Sequence, residues 1–177
     1  MIGTLRRACS FSAMLALTAC SDGFLGIGES DATFRPDGEA FTLTATNAQV
    51  RGEIPFSYTN STGRTIYVQN CNRIVPPVLE KKIDGAWITV WGAAVPQCLS
   101  APIVIRDGDT YRDTLEVVGG FSDGNVLPKF LAPQIDGTYR MRWENVFWSA
   151  DHSGYPYNSQ IPRDLRTSRE FRIEVDG

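Results

Sequence analysis

The stretch Val78-Leu79-Glu80-Lys81-Lys82-Ile83-Asp84-Gly85-Ala86-Trp87-Ile88-Thr89-Val90-Trp91 decides the fold. Two alternating runs flank Asp84-Gly85. That dipeptide is the strongest hairpin signal in the chain, because both residues tolerate the positive φ that a two-residue hairpin turn demands. The reading is two strands, Val78 to Ile83 and Ala86 to Trp91. In the second, Trp87 and Trp91 alternate with Ile88 and Val90, so it is apolar on both faces and is expected in the middle of its sheet.

Outward from this hairpin the dominant period stays at two. Phe41, Leu43 and Ala45 alternate with threonines; Ile54, Phe56 and Tyr58 alternate with Glu53, Pro55 and Ser57. Tyr139, Met141 and Trp143 alternate with Arg140, Arg142 and Glu144, and Phe171, Ile173 and Val175 with Glu170, Arg172 and Glu174. Such patterns belong to half-buried strands. Shorter runs, Arg64 to Cys71, Ile103 to Arg106 and Tyr111 to Val118, are bounded by Ser61-Thr62-Gly63, Asp107-Gly108-Asp109 and Gly119-Gly120. Val126 to Leu131, hemmed by Pro128 and Pro133, has room for one helical turn. Eight or nine short strands without crossover helices predict an all-β chain folded as a single antiparallel β-sandwich.

Two resemblances refine that prediction. Asp136-Gly137-Thr138-Tyr139 before an alternating strand resembles the tyrosine corner of immunoglobulin-like domains, whose tyrosine hydroxyl bonds back to the chain at the sandwich edge. No cysteine follows Tyr139 at the antibody position, so the resemblance implies an immunoglobulin-like or fibronectin-like bacterial domain. Asn60-Ser61-Thr62-Gly63 and Gly137-Thr138-Tyr139 also stand where the bacterial intracellular proteinase inhibitor family carries its "N-x-T-G" turn and "G-x-Y" strand. That likeness implies a small sandwich able to act as an inhibitor.

Composition sets the outer limits. With 177 residues, 42% hydrophobic and 21% charged, the chain has apolar side chain enough for one core. Seventeen Lys and Arg against 20 Asp and Glu leave a net charge of -3, so no positive excess exists to gather nucleic-acid phosphates. Four cysteines and one histidine, His152, are too few for a structural zinc site. No cofactor and no metal are expected.

The N-terminus reads as a secretory signal: Arg6-Arg7, an apolar run from Ala8 to Leu17, then a junction of small residues. About ten apolar residues are too short for the roughly 30 Å core of a bilayer. Leu17-Thr18-Ala19-Cys20 resembles the lipobox of bacterial lipoproteins, which implies a signal peptide over 1–19 and lipidation of Cys20. Several acyl chains on one residue anchor a protein firmly. Ser21 after that cysteine leans towards the outer membrane, facing the periplasm. Residues 20–37, rich in glycine and acids, are expected to form a tether reaching roughly 20 to 25 Å, and 38–177 the folded domain. With Cys9 removed and Cys20 acylated, Cys71 and Cys98 remain, and an oxidising compartment predicts their disulfide. It would close a loop of about 28 residues and stabilise the fold by roughly 3 to 4 kcal/mol in the chain-entropy picture.

No catalytic constellation emerges. Ser149, Asp151, His152 and Ser153 share a window, but a triad needs a rigid elbow and an oxyanion hole, and no Gly-x-Ser-x-Gly is present. Asp107-Gly108-Asp109 with Asp113 lacks the closing glutamate of a calcium loop and reads as a turn. Arg140, Arg142 and Glu144 are expected to face Glu170, Arg172 and Glu174 as a solvated face. The candidate binding loop is Phe147 to Tyr157, where Phe147, Trp148, His152, Tyr155 and Tyr157 put five rings beside Gly154 and Pro156. A second candidate surface is the apolar segment Gly92 to Ser100. The sequence thus predicts a membrane-anchored envelope protein that binds a protein or peptide and is not an enzyme; a periplasmic protease inhibitor or a purely structural envelope module are the alternatives.

Overall fold

The computed structural model describes residues 34–71, 74–95, 100–149 and 158–177. Within them the chain is all-β. In chain order the strands are β1 (Phe34–Pro36), β2 (Ala40–Ala45), β3 (Gln49–Thr59), β4 (Ile66–Val68), β5 (Val78–Ile83), β6 (Ala86–Trp91), β7 (Ile103–Ile105), β8 (Thr110–Gly120), β9 (Gly137–Arg142), β10 (Val146–Ser149), β11 (Asn158–Gln160) and β12 (Phe171–Asp176), with one 3-10 turn at Asp164–Arg166. The expected eight or nine strands become twelve among the described residues, because β1, β10 and β11, three or four residues each, carry too few residues to show a period.

The β5–β6 hairpin forms as read. Ile83 pairs with Ala86, and Asp84 (φ 50°) and Gly85 (φ 81°) both take the left-handed turn conformation. The register then shifts at Leu79/Glu80, so that Glu80 faces Thr89 while Leu79 faces Trp91. Val90 is the extra residue of this bulge, and Val90 and Trp91 are both buried. The bulge, not a central position, explains the apolar run: β6 is the last strand of its sheet.

Two sheets share one core. The larger has the order β1-β3-β2-β12-β9-β5-β6, with β8 paired along all of β3 from Gln49↔Gly120 to Thr59↔Thr110. The smaller is β11-β10-β4-β7. The larger sheet is mixed rather than purely antiparallel, since β12 runs parallel to β2 from Arg172↔Ala40 to Asp176↔Thr44. Period two records which face a residue takes and says nothing of strand direction, so this pairing between chain-distant strands had no local signal. The sheets do not close into a barrel, an arrangement compatible with a β-sandwich. Between the ends of β8 and β6 lies the segment 128–131: Gly120 N donates to Pro128 O, Phe130 N to Gly120 O and Leu131 N to Val90 O. Gly119-Gly120, expected to end the strand, belongs to it. A Cβ on Gly119 would lie 2.8 Å from Trp91 Nε1, so the glycine admits the indole, whose Nε1 donates to Val118 O at 3.2 Å.

Trp143 is the hub of the core. Its ring lies 5.6 Å from Phe34, 5.8 Å from Phe56, 5.6 Å from Tyr58 and 6.0 Å from Tyr111, and Nε1 donates to Val75 O. Ile66, Val68, Ile105 and Val146 of the smaller sheet complete the same cluster. Phe34 is fully buried and β1 pairs with β3, so the folded part begins by Phe34, inside the segment expected to be tether.

Both motif positions hold turns together. Asn60 is fully buried; its Nδ2 donates to Arg64 O and Ile105 O, and its Oδ1 accepts from Thr62 N and Thr62 Oγ1. It thereby ties the turn after β3, where Gly63 has φ 73°, to β7. Tyr139 is fully buried and its hydroxyl donates to Ile135 O, four residues upstream. Burial first, and the Asp136 charge second, push that phenol well above the usual tyrosine range.

Candidate functional site

The aromatic loop predicted from sequence starts in β10, which pairs antiparallel with β11, and its residues 150–157 lie outside the described residues. Its stem is held on two sides: Phe147 pairs with Tyr67 of β4 and with Gln160 of β11, Val146 pairs with Val68, and Ile161 N donates to Val146 O. Phe147 and Trp148 are half-buried, and the Arg64 guanidinium lies 4.6 Å from the centre of the Trp148 ring. His152, Tyr155 and Tyr157 lie outside the described residues, as does Cys20. Of the second loop, Gly92 to Val95 and Ser100 are described, with Val95 exposed. Cys71 is half-buried just beyond β4; Cys98 lies outside the described residues.

The structure adds a cluster that sequence reasoning missed. Glu80, in the middle of β5, has a side chain only 1% exposed, yet it points to the outer face of the sheet, opposite Leu79. Three guanidiniums cover it. Arg140 Nε donates to Oε2 at 2.7 Å, while Arg142 Nε at 2.6 Å and Arg163 Nη2 at 2.7 Å share Oε1. Arg142 also reaches Glu144 and Thr89 Oγ1. The Arg140 guanidinium stacks 4.3 Å from the centre of the Trp87 ring, which Lys82 also faces.

This corrects the expected charge pairing. The β9–β12 register matches Phe171 with Tyr139 and Arg172 with Thr138, whereas β5 pairs Val78 with Arg142 and Glu80 with Arg140. Arg140 and Arg142 therefore serve β5, and Arg172 pairs weakly with Glu174 of its own strand. The available signal was Glu80-Lys81-Lys82 interrupting an apolar run, beside two like charges on one face of β9.

Electrostatics follow from this packing. Burial alone would raise the Glu80 carboxyl, but the hydrogen bonds and charges of Arg142 and Arg140 outweigh it and hold the group below the ordinary carboxylate range. Arg142 is subject to the same burial, and its bonds to Glu80 and Glu144 raise it above the ordinary guanidinium value. Lys81, on the opposite face, donates to Gln134 O and lies over the Tyr139 ring; burial lowers its pKa against the pull of Asp136. An acid held ionised by three arginines is a poor proton donor or acceptor for catalysis, and an arginine-rich face beside an indole suits binding.

Among the described residues no group of three or more His, Cys, Asp or Glu side chains is placed to hold a metal. No protein-family model and no curated protein matches the chain. Fold and site together define an all-β domain of two sheets, with an aromatic hairpin on the smaller and an arginine-covered carboxylate on the larger.

Proposed function

We propose that the chain is a lipid-anchored protein of the bacterial envelope whose domain, an immunoglobulin-like β-sandwich, recognises a protein or peptide through the segment between β10 and β11. The observation that carries this reading is the stem. β10 is paired on both edges and Trp148 is packed beneath Arg64, so the strand that leads into the segment 150–157 is fixed. A fixed base lowers the entropy that a binding loop loses on contact. The buried Tyr139 corner supports the immunoglobulin-like assignment.

The Cys71–Cys98 disulfide belongs to the same reading. Cys71 takes part in a disulfide, and the antiparallel β4–β7 pair, Val68↔Ile103, brings the chain after β4 and the chain before β7 to one end of the smaller sheet. Asn70 Nδ2 donates to Ala101 O across that end. Lipidation at Cys20 rests on the lipobox resemblance, and a surface tether of this kind makes weak contacts effective by raising local concentration.

Two measurements test the proposal. Intact mass of the membrane fraction should show a mature chain beginning at an acylated Cys20, with Cys20→Ala leaving the protein unprocessed. Pull-down from an envelope extract should capture a partner that the Tyr155→Ala/Tyr157→Ala variant loses at unchanged melting temperature. If that variant melts earlier and neither protein captures anything, the loop is packing and the recognition reading fails. A captured peptidase would favour the inhibitor alternative.

A further inference from the structure

The arginines around Glu80 outnumber their counter-charges. Arg140, Arg142 and Arg163 face two carboxylates, Glu80 and Glu144. A fourth guanidinium, Arg166, is buried behind them and is held only by neutral oxygens: Ile161 O, Trp143 O and Gln160 Oε1. Burial first, then the Arg142 and Arg163 charges, lower the Arg166 pKa against the pull of Glu144 and Glu80. Asp164, beside Arg163 in the chain, makes no ion pair among the described residues, and Lys82 is already matched by Glu170. Two positive charges are therefore left over in one partly buried cluster, on a chain whose net charge is negative.

The donors are unequally used. Arg142 spends all its nitrogens on Glu80, Glu144 and Thr89. Arg140 engages only Nε, its plane held by Trp87, so both Nη atoms make no hydrogen bond among the described residues. Arg163 engages only one Nη and its side chain is 58% exposed. Both guanidiniums are anchored to the same carboxylate, Arg140 on Oε2 and Arg163 on Oε1, each with nitrogens left unused. Two planar forks with a surplus of two charges match a tetrahedral dianion.

We propose that the Glu80 cluster is a phosphate-binding site in which Arg140 and Arg163 contact the phosphate oxygens, Glu80 orients both guanidiniums, and Arg142 and Arg166 supply charge behind them. The phosphate can belong to a soluble ligand or to a lipid headgroup, and the shared chemistry is the dianionic phosphate.

The test uses the full chain carrying Cys20→Ala, so that no acyl anchor contributes, titrated with inorganic phosphate at constant ionic strength while the arginine Nε–H resonances are followed by NMR. Saturable shifts at Arg140 and Arg163 are expected. Arg163→Gln, a change at an exposed side chain, should weaken binding about tenfold or more, the loss of one charge-assisted contact, while Arg112→Gln on β8 leaves it unchanged. A second arm measures co-sedimentation with phosphatidic acid vesicles against phosphatidylcholine vesicles. Vesicle binding that needs Arg163 assigns the phosphate to a lipid, and phosphate binding without it assigns a soluble ligand. The proposal is overturned if neither probe binds, if binding survives Arg140→Gln/Arg163→Gln, or if succinate binds as tightly as phosphate.

Discussion

Replacing Glu80 by glutamine keeps the side-chain volume and removes one charge, so the outcome isolates the ion cluster from packing. In the wild type the carboxylate accepts three charge-assisted bonds of 2.6 to 2.7 Å and is 1% exposed. Removing one partner of a buried ion pair costs about 3 to 5 kcal/mol. Arg163 is more than half exposed and recovers hydration, which brings the expected loss to about 2 to 4 kcal/mol. At about 2 to 4 °C per kcal/mol for a domain of this size, the melting midpoint at pH 7 should fall by roughly 4 to 16 °C. The pH dependence gives a second readout. The folded-state pKa of Glu80 is lowered, so the unfolded chain binds the proton more readily and the stabilisation is complete above the ordinary carboxylate value of 4.5. It is lost as pH falls through the lower folded value, and the gap between wild type and Glu80→Gln should narrow over that acid window. Thermal melts by circular dichroism from pH 7 down to pH 2.5 make the comparison. A loss under about 1 kcal/mol at pH 7, or a gap that stays constant with pH, would refute the reasoning.

Three further outcomes follow from the same structure. Asn60→Ala removes four hydrogen bonds at a fully buried node and should cost about 2 to 4 kcal/mol in urea unfolding. Tyr139→Phe leaves Ile135 O without its donor and should cost about 1 to 2 kcal/mol by the same assay. Gly119→Ala drives a Cβ into the Trp91 indole and should lower the melting temperature and shift the Trp91 fluorescence, whereas alanine at an open surface position leaves both unchanged.

What the sequence made legible was whatever is written locally. The Asp84-Gly85 turn, the corner at Tyr139 and the Gly108 turn, with φ 82°, each carry their instruction within a few residues. The parallel β2–β12 pair joins strands more than a hundred residues apart, and no local pattern encodes it. The place of β6 was misread because a bulge and an edge strand capped by Leu131 look, in one dimension, like a central strand. Glu80 escaped notice for a related reason. Its partners come from two positions on β9 and from the approach to the 3-10 turn, and each alone looks like an ordinary solvated charge. Of the aromatic segment, the structure describes the flanking strands β10 and β11.

The most direct test of the central claim is site-specific photocrosslinking in intact cells, with a photoreactive phenylalanine at Tyr155 in the segment between β10 and β11 and, as control, at Asp123 in the loop after β8. Tethered recognition predicts a discrete adduct from position 155 that is absent from position 123 and is lost when Cys20→Ala removes the anchor. Equal labelling from both positions, or none from 155 in a folded and anchored protein, would contradict it.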